Sequence, residues 1–209
     1  MDNLQCVNGT IMNMKGASIM MAIKRSLCSA IVVLLTTATA NNAIAQNTPP
    51  QVSNSTMQEL QNSLTDSHPS AYFELASRLF AQGSEAQKQA AVRWFYIGQI
   101  RYRAYLKANP DFEPSADPAL FSSLMEVVGR PLNGYIGADV DAWVTIIDQA
   151  ITWHQQHPDN FMGKQQHQAT YNEVVDGLQS MRDDLAASKA QIEQQREANG
   201  LENRHIEIQ

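Results

Sequence analysis

The chain has 209 residues, of which 44% are apolar and 17% are charged, and its formal net charge at pH 7 is −6. The apolar fraction is too high for an intrinsically disordered chain, and 10 Gly with 8 Pro are too few for a collagen-like or low-complexity protein. Two cysteines cannot form a disulfide framework, and the acidic balance argues against nucleic acid as a partner.

The N-terminal region has the three parts of a secretory signal. A short positive segment at 21–25 precedes an apolar run over 26–40, and Ala43-Ile44-Ala45 matches a small-residue cleavage site. The apolar run is shorter than the roughly 20 residues that span a membrane. We predict cleavage after Ala45, so that residues 1–45 are an upstream extension and a signal peptide whose core is 21–45.

Cleavage would leave 164 residues, without Cys6 and Cys28, and with 12 basic and 20 acidic side chains, a net charge of −8. A chain without thiols suits an oxidising compartment. We therefore expect a periplasmic or secreted protein with no stable membrane insertion after signal cleavage. An uncleaved N-terminal anchor is the alternative, and translation starting near Met20 would remove the upstream extension.

Residues 46–54 are rich in Asn, Pro, Ser and Thr and predict a flexible leader, and after them we find helical patterns without strand alternation. Ser84 and Asp139 are of residue types that cap helices, and Gly83 is of the type that ends one. The helices predicted from these signals run over 56–64, 69–83, 84–108, 117–128 and 139–157, with 129–137 as a turn-rich connector.

Two stretches of the chain align when the sequence is shifted by 48 positions. Phe73 then falls on Phe121, and Asn109-Pro110-Asp111 falls on His157-Pro158-Asp159. A fixed period of helix pairs is typical of a solenoid-type array. We predict two helix–turn–helix units at about 69–110 and 117–158, with chance alignment of two aromatic-bearing helices as the alternative.

The first unit also carries a family-like pattern of small and large residues. It consists of Ala71, Leu75-Ala76, Leu79-Phe80, Gly83, Ala90-Ala91-Val92 and Trp94-Phe95. This pattern resembles the tetratricopeptide and Sel-one-like helical repeats over about 30 residues, a resemblance that implies binding to other proteins. The second unit departs from the pattern, because its turn is longer. Residues 94–103 resemble segments of small exported bacterial proteins, which implies no activity.

A long helical pattern runs from Gly163 to Asn199. Its apolar positions form an a/d seam made of Tyr171, Val174, Leu178, Met181, Leu185 and Ile192. We predict a single C-terminal helix that caps the open end of the repeats, with homodimerisation through the seam as the alternative. The fold class expected is therefore all-α, with a single helical domain over 55–198 and a flexible tail over 199–209.

Charge is divided unevenly along the chain, with +5 over 78–107 and −10 over 108–209. The cationic stretch is also aromatic, and Arg beside Tyr and Trp suits recognition of a carboxylate-rich protein. The predicted partner-binding residues are Arg93, Trp94, Gln99, Arg101, Tyr102 and Arg103, with Arg130 and Tyr135 from the connector. The alternative is a central helix whose aromatic residues are core and whose arginines pair with the acidic half.

Candidate chemistry is sparse. No Gly-x-Ser-x-Gly motif, phosphate-binding glycine loop or cysteine occurs after residue 45. The sequence thus favours an exported, non-enzymatic protein without a cofactor, acting as an adaptor or an immunity-type inhibitor of a toxic enzyme. Two alternatives remain: a small metal-dependent hydrolase using His154 and His157, which are one helical turn apart, and a helical module that binds a small ligand.

Overall fold

The structure, a computed structural model, describes residues 54–209, which form helices without strands, so the predicted all-α class is confirmed. The helices are α1 (Asn54–Ser63), α2 (Ser70–Gln82), α3 (Glu85–Ala108), α4 (Asp117–Leu124), α5 (Arg130–Ile136), α6 (Val140–Gln156), α7 (Gln168–Ala187) and α8 (Lys189–Ala198). A 3-10 turn, Leu64–Asp66, follows α1, and a π-helical turn, Met125–Gly129, joins α4 to α5. The predicted signal peptide lies outside the described residues, as does the leader apart from Asn54.

Local signals set the helix ends as predicted. Gly83 ends α2 with a left-handed φ of 85°, a conformation that glycine adopts without steric cost. The Ser84 hydroxyl then accepts the backbone N–H of Gln87 and caps α3. Asp139 caps α6 in the same way, since its carboxylate accepts the N–H groups of Asp141 and Ala142 at 3.0 and 3.1 Å.

Helix α3 is the centre of the fold. It contacts α2, α4, α5, α6 and α7, and its buried aromatic and aliphatic side chains come from nearly every face of the helix. A helix that is apolar all round is expected to be enclosed by other elements. The aromatic residues of the cationic stretch are therefore core residues, which was the alternative interpretation of that segment.

The crossing of α2 and α3 depends on a glycine. A Cβ atom placed on Gly98 would lie 2.8 Å from Tyr72 Cβ and 3.0 Å from Phe73 Cε2. Tyr72 Cβ is bonded directly to the backbone of α2, so it cannot move away without shifting that helix. The two helices therefore approach closely only because position 98 has no side chain.

We expect Gly98→Ala to destabilise the protein. Overpacking a core costs about 1–3 kcal/mol, which exceeds the roughly 1 kcal/mol that alanine gains over glycine within a helix. Gly177 in α7 is the matched control, because nothing lies within 4 Å of its Cβ position. Gly177→Ala should raise the free energy of unfolding by about 0.5–1 kcal/mol. Urea unfolding measures the free energy of unfolding of both variants. Equal changes in the same direction for the two variants would contradict the prediction.

The second unit differs from the first in its opening helix. Residues 129–137, expected to be a connector, instead form the end of the π-helical turn and α5, which buries Leu132 and Ile136. Gly129 packs against the Phe95 ring so closely that a Cβ there would lie 2.7 Å from Phe95 Cζ. Burial against α3 thus overrides the turn propensity of this Gly- and Pro-containing stretch.

The C-terminal helix is shorter than predicted and is interrupted. It begins at Gln168 instead of Gly163, which lies in a turn with φ of 75°, and it breaks at Ser188 between α7 and α8. Helix α7 packs along α3 and α6. Two ion pairs connect α7 to its neighbours: Lys107 of α3 pairs with Glu173, and Asp148 of α6 pairs with Arg182.

The predicted flexible tail is instead packed against the domain. The chain reverses at Gly200, where φ is 71°, and the following residues return to the start of α3 and α6. Ile206 is only 4% exposed. Because its side chain joins the hydrophobic core, residues 204–209 are part of the folded domain.

Candidate functional site

Half of the predicted partner-binding residues lie in the interior. Trp94, Gln99, Arg101 and Tyr102 are all buried, and Arg101 is only 1% exposed. The contact surface proposed from the sequence is therefore wrong for these four side chains, because α3 is enclosed by its neighbours. Sequence spacing alone did not show how many helices surround α3.

The other predicted partner-binding residues reach the surface in different surroundings. Arg93 lines a shallow groove of about 440 Å³ beside α6, and Arg103 is exposed with its guanidinium 5.2 Å from the centre of the Phe121 ring. Arg130 is exposed and paired with Glu126. Tyr135 is half-buried and donates its hydroxyl to a carboxylate at 2.9 Å.

Arg101 is held in a buried polar cluster. One guanidinium nitrogen, Nη2, donates to the Pro158 carbonyl at 2.7 Å, and Nη1 lies 3.7 Å from Asp159 Oδ1. The guanidinium sits between the Tyr72 and Trp153 rings, 5.1 and 5.2 Å from their centres. One arginine of the cationic stretch therefore pairs with the acidic half of the chain, as the alternative interpretation expected.

Three further side chains complete this arrangement, which we call the Arg101 cluster: Arg101, His154, Asp159, Lys164 and Tyr171. The Tyr171 hydroxyl donates to Asp159 Oδ2. Lys164 Nζ donates to the carbonyls of His154, Gln155 and His157, so its charge caps the C-terminus of α6. These contacts anchor the turn after α6 and the start of α7 to α3.

Like Arg101, whose Nε and Nη1 atoms lack hydrogen-bond partners, His154 is incompletely bonded within the Arg101 cluster. It is 2% exposed, and its Nδ1 atom has no hydrogen-bond partner in the structure. Burial first, and then the positive charges of Lys164 and Arg101, lower the pKa of His154 to about 3. The imidazole is therefore neutral at physiological pH.

The two histidines of the metal-dependent alternative, His154 and His157, do not form a metal site together. His157 stacks on Trp153 at 4.0 Å, and its Nδ1 lies 2.8 Å from the Trp153 carbonyl oxygen, whereas His154 is enclosed in the Arg101 cluster. Within residues 54–209, no group of three or more His, Cys, Asp or Glu side chains is arranged to hold a metal ion.

A polar depression of about 670 Å³ lies beside the Arg101 cluster. Its lining includes Asp159, Lys164, His157 and a series of glutamines over 155–168. Small-molecule sites are usually enclosed by apolar and aromatic walls, with a few polar groups that fix orientation. This depression has the opposite character, and the two charged groups in its wall already bond to protein atoms.

The structure also contains a Ser–His–Asp hydrogen-bond chain that the sequence did not indicate. His68 Nδ1 lies 2.9 Å from Ser70 Oγ, and His68 Nε2 lies 3.0 Å from Asp117 Oδ1. The residue types match a hydrolase triad. However, the N–H groups of Ser70 and Ala71, which would have to stabilise an oxyanion, already bond to Nδ1 and the carbonyl of His68. These hydrogen bonds instead connect the start of α2 to the start of α4.

An apolar surface is exposed along α4, the π-helical turn and α5, and we call it the α4–α5 face: Leu120, Val127, Arg130 and Pro131. Val127 is 73% exposed and Leu120 is 44% exposed. They are seven positions apart, so they point in similar directions along a helical segment. Helix α4 contributes no fully buried residue, and four of its eight residues, Ala119, Leu120, Ser122 and Ser123, are exposed.

Within residues 54–209, no helix is both long enough and apolar enough to cross a membrane. Comparisons with protein-family models, with curated proteins and with solved structures found no match to this chain. The likeness of the first unit to tetratricopeptide and Sel-one-like repeats therefore stays a prediction from the sequence.

Proposed function

We propose that this protein is a non-catalytic binding protein and that its partner is another protein, which docks on the α4–α5 face. The observation that carries the proposal is the exposure of Val127 and Leu120 on one face of a helical segment. Single exposed apolar residues are ordinary on soluble proteins, whereas a contiguous apolar patch rimmed by polar groups is typical of a contact surface.

The π-helical turn is what presents Val127. The turn buries Val128 in the core, places Gly129 against Phe95 of α3, and leaves Val127 outside. Such turns are rare and occur frequently at functional sites. The Glu126–Arg130 ion pair lies next to Val127 in the chain and supplies a charged rim. A partner that fits would bring an apolar side chain to Val127 and polar groups to this rim.

The proposal places this interaction outside the cytoplasm, with the protein acting as an adaptor or as an immunity-type inhibitor. Its support is the three-part signal pattern over 21–45. The intact mass of the protein recovered from the cell envelope should correspond to a chain beginning at Gln46. Recovery of the chain from the cytosol with its N-terminal 45 residues retained would contradict the export part of the proposal.

A photo-crosslinking amino acid placed at position 127 in the host cell tests the docking surface directly. We expect a discrete protein adduct from position 127 and none from Asn172, an exposed position on α7 that serves as the matched control. With the captured partner purified, Val127→Asp should weaken binding by at least about tenfold, the effect of losing an apolar contact at the centre of an interface. Asn172→Asp should leave the affinity unchanged.

Two results would contradict this surface. One is the same set of adducts from positions 127 and 172, which would indicate non-specific collision. The other is a purified partner whose dissociation constant is the same for the wild type and for Val127→Asp.

A further inference from the structure

Residues 204–209 form no helix and lie against the N-terminal cap of α6 and the start of α3, where most of their hydrogen bonds are made by backbone groups. The Arg204 N–H donates to the Ala138 carbonyl at 2.9 Å, and the Ile206 N–H donates to Asp139 Oδ2 at 2.7 Å. Gln89 then makes two bonds to the same segment. Its Nε2 donates to the Glu207 carbonyl at 2.8 Å, and its Oε1 accepts the Gln209 N–H at 3.0 Å.

The side chains of this segment alternate between the protein and the solvent. Ile206 is buried and Ile208 is half-buried, whereas the side chains of His205 and Glu207 are exposed. Backbone bonding combined with pockets for alternate side chains is the way proteins recognise an added β-strand. The segment is therefore bound as an extended peptide would be.

The first basic residue of the segment has its own contact. The Arg204 guanidinium lies over the Tyr135 ring, 5.0 Å from its centre, and Nη1 is 3.8 Å from Glu85 Oε2. Glu85 also accepts the Tyr135 hydroxyl, so the aromatic ring and the carboxylate are held together. The Tyr135 ring and the Glu85 carboxylate are thus complementary to a positive side chain two positions before the buried isoleucine.

The receiving groups are committed to this segment. Asp139 is buried, and its two oxygens have different partners: Oδ1 caps α6, whereas Oδ2 contacts His205 Nδ1 and accepts the Ile206 N–H. Gln89 is also buried, and both atoms of its amide bond to residues 207 and 209. Buried polar groups are costly without partners, so whatever replaces the segment must offer backbone N–H and C=O groups at the same spacing.

We propose that Gln89, Tyr135, Ala138 and Asp139 form a peptide-binding groove for an extended segment of another protein with the pattern Arg-x-Ile-x-Ile, and that residues 204–209 occupy this groove in cis until such a segment displaces them. The partner class is a basic, β-branched strand. The groove is a different surface from the α4–α5 face, so either proposal stands if the other fails.

A second copy of the chain fits the groove less well, because its residues 204–209 follow a turn that is hydrogen-bonded to α8. Asn203 Nδ2 donates to the Glu193 carbonyl of α8, and Arg196 donates to Asn203 Oδ1 and to the Glu202 carbonyl. Arg196 of α8 also lies beside Gly137, at the entrance of the groove. A second copy would therefore have to bring its own α8 together with its residues 204–209, whereas a segment of another protein without such a helix has no such requirement.

Residues 204–209 compete strongly with any free peptide for the groove, because the chain holds them close to it. A short tether holds a ligand at about millimolar effective concentration, so a free peptide of micromolar affinity competes poorly with it. Releasing the tail should therefore strengthen the apparent affinity for a free peptide by at least about tenfold. Full-length Ile206→Asp provides this release, because a buried carboxylate opposes seating of the tail.

The probe is a fluorescently labelled synthetic peptide with the sequence of residues 201–209, and binding is followed by fluorescence anisotropy. We expect the Ile206→Asp chain to bind this peptide at least about tenfold more tightly than the wild type does. Glu207→Ala is the matched control, since it changes an outward-facing tail residue and should behave as the wild type. A probe peptide carrying aspartate at the Ile206 position should not bind.

Three results would overturn the proposal. The first is an Ile206→Asp chain with wild-type helical content, by circular dichroism, that binds the probe no better than the wild type. The second is unchanged probe binding when Gln89→Leu is added to Ile206→Asp. The third is a concentration-dependent dimer that the probe dissociates, which would identify a second copy as the occupant. If Ile206→Asp loses helical content, full-length Arg204→Glu, a change at an exposed residue, is measured against the same criterion.

Discussion

Replacing Arg101 with leucine is expected to lower the free energy of unfolding by about 3–5 kcal/mol, because breaking a buried ion pair leaves an uncompensated charge. Arg101 and Asp159 are both almost fully enclosed, and the guanidinium also bonds to the Pro158 carbonyl. After the substitution, the Asp159 carboxylate would keep the Tyr171 hydroxyl as a partner but would lose its ion pair with the Arg101 guanidinium. Urea unfolding measures the loss.

An exposed ion pair supplies the control for this prediction. Lys107 pairs with Glu173 at 2.6 Å with both side chains largely exposed, so Lys107→Ala should cost no more than about 1 kcal/mol. Adding Asp159→Asn to Arg101→Leu should cost less than the sum of the two single changes, by about 0.5–3 kcal/mol, because the residues are in contact. If Arg101→Leu proves no more harmful than Lys107→Ala, the Arg101 cluster does not have the stabilising role assigned to it.

Acid should destabilise the protein through His154. Its folded-state pKa is lowered to about 3, by burial and then by Lys164 and Arg101, while the unfolded chain has the ordinary value near 6.5. Between these two values the unfolded state binds a proton that the folded state does not. The stability contributed by neutral His154 is therefore complete above pH 6.5 and is lost as the pH falls toward 3, at up to about 1.4 kcal/mol per pH unit.

The upper limit of this loss is about 5 kcal/mol at pH 3, which makes it comparable to the loss of Arg101. Besides its two positive neighbours, His154 faces the Tyr171 ring at 4.9 Å, and Asp159 lies in the same cluster. In His154→Gln the slope of unfolding free energy against pH should be smaller than in the wild type by up to one proton. Unfolding midpoints in urea between pH 7 and pH 4 measure it, and identical slopes would contradict the prediction.

The helix ends show how far local sequence carries a prediction. Gly83, Ser84 and Asp139 act on backbone groups within a few positions of themselves, so their residue types were sufficient to predict them. The stretch 129–137 does not follow its local signals. Its Gly and Pro content indicates a turn, but burial of Leu132 and Ile136 against the core makes α5 more favourable.

The candidate contact residues were harder to place, for a geometric reason. Arg101 and Arg103 are two positions apart in α3, and residues at that spacing point to nearly opposite sides of a helix. One is therefore enclosed between Tyr72 and Trp153, and the other is exposed. Both arginines add the same charge to the segment, so the sequence does not separate them. Only the helices that pack around α3 determine which arginine is buried and which is exposed.

Taken alone, the sequence determined that this protein is all-α and where α2, α3 and α6 begin and end, because caps and hydrophobic periodicity act over one or two turns. The tertiary structure alone decided which polar groups meet. Arg101 bonds to a carbonyl 57 positions away, Ile206 to a carboxylate 67 positions away and Gln209 to an amide 120 positions away. Contacts over such separations leave no periodic trace in the sequence, so the Arg101 cluster and the peptide-binding groove emerge only once the helices are packed.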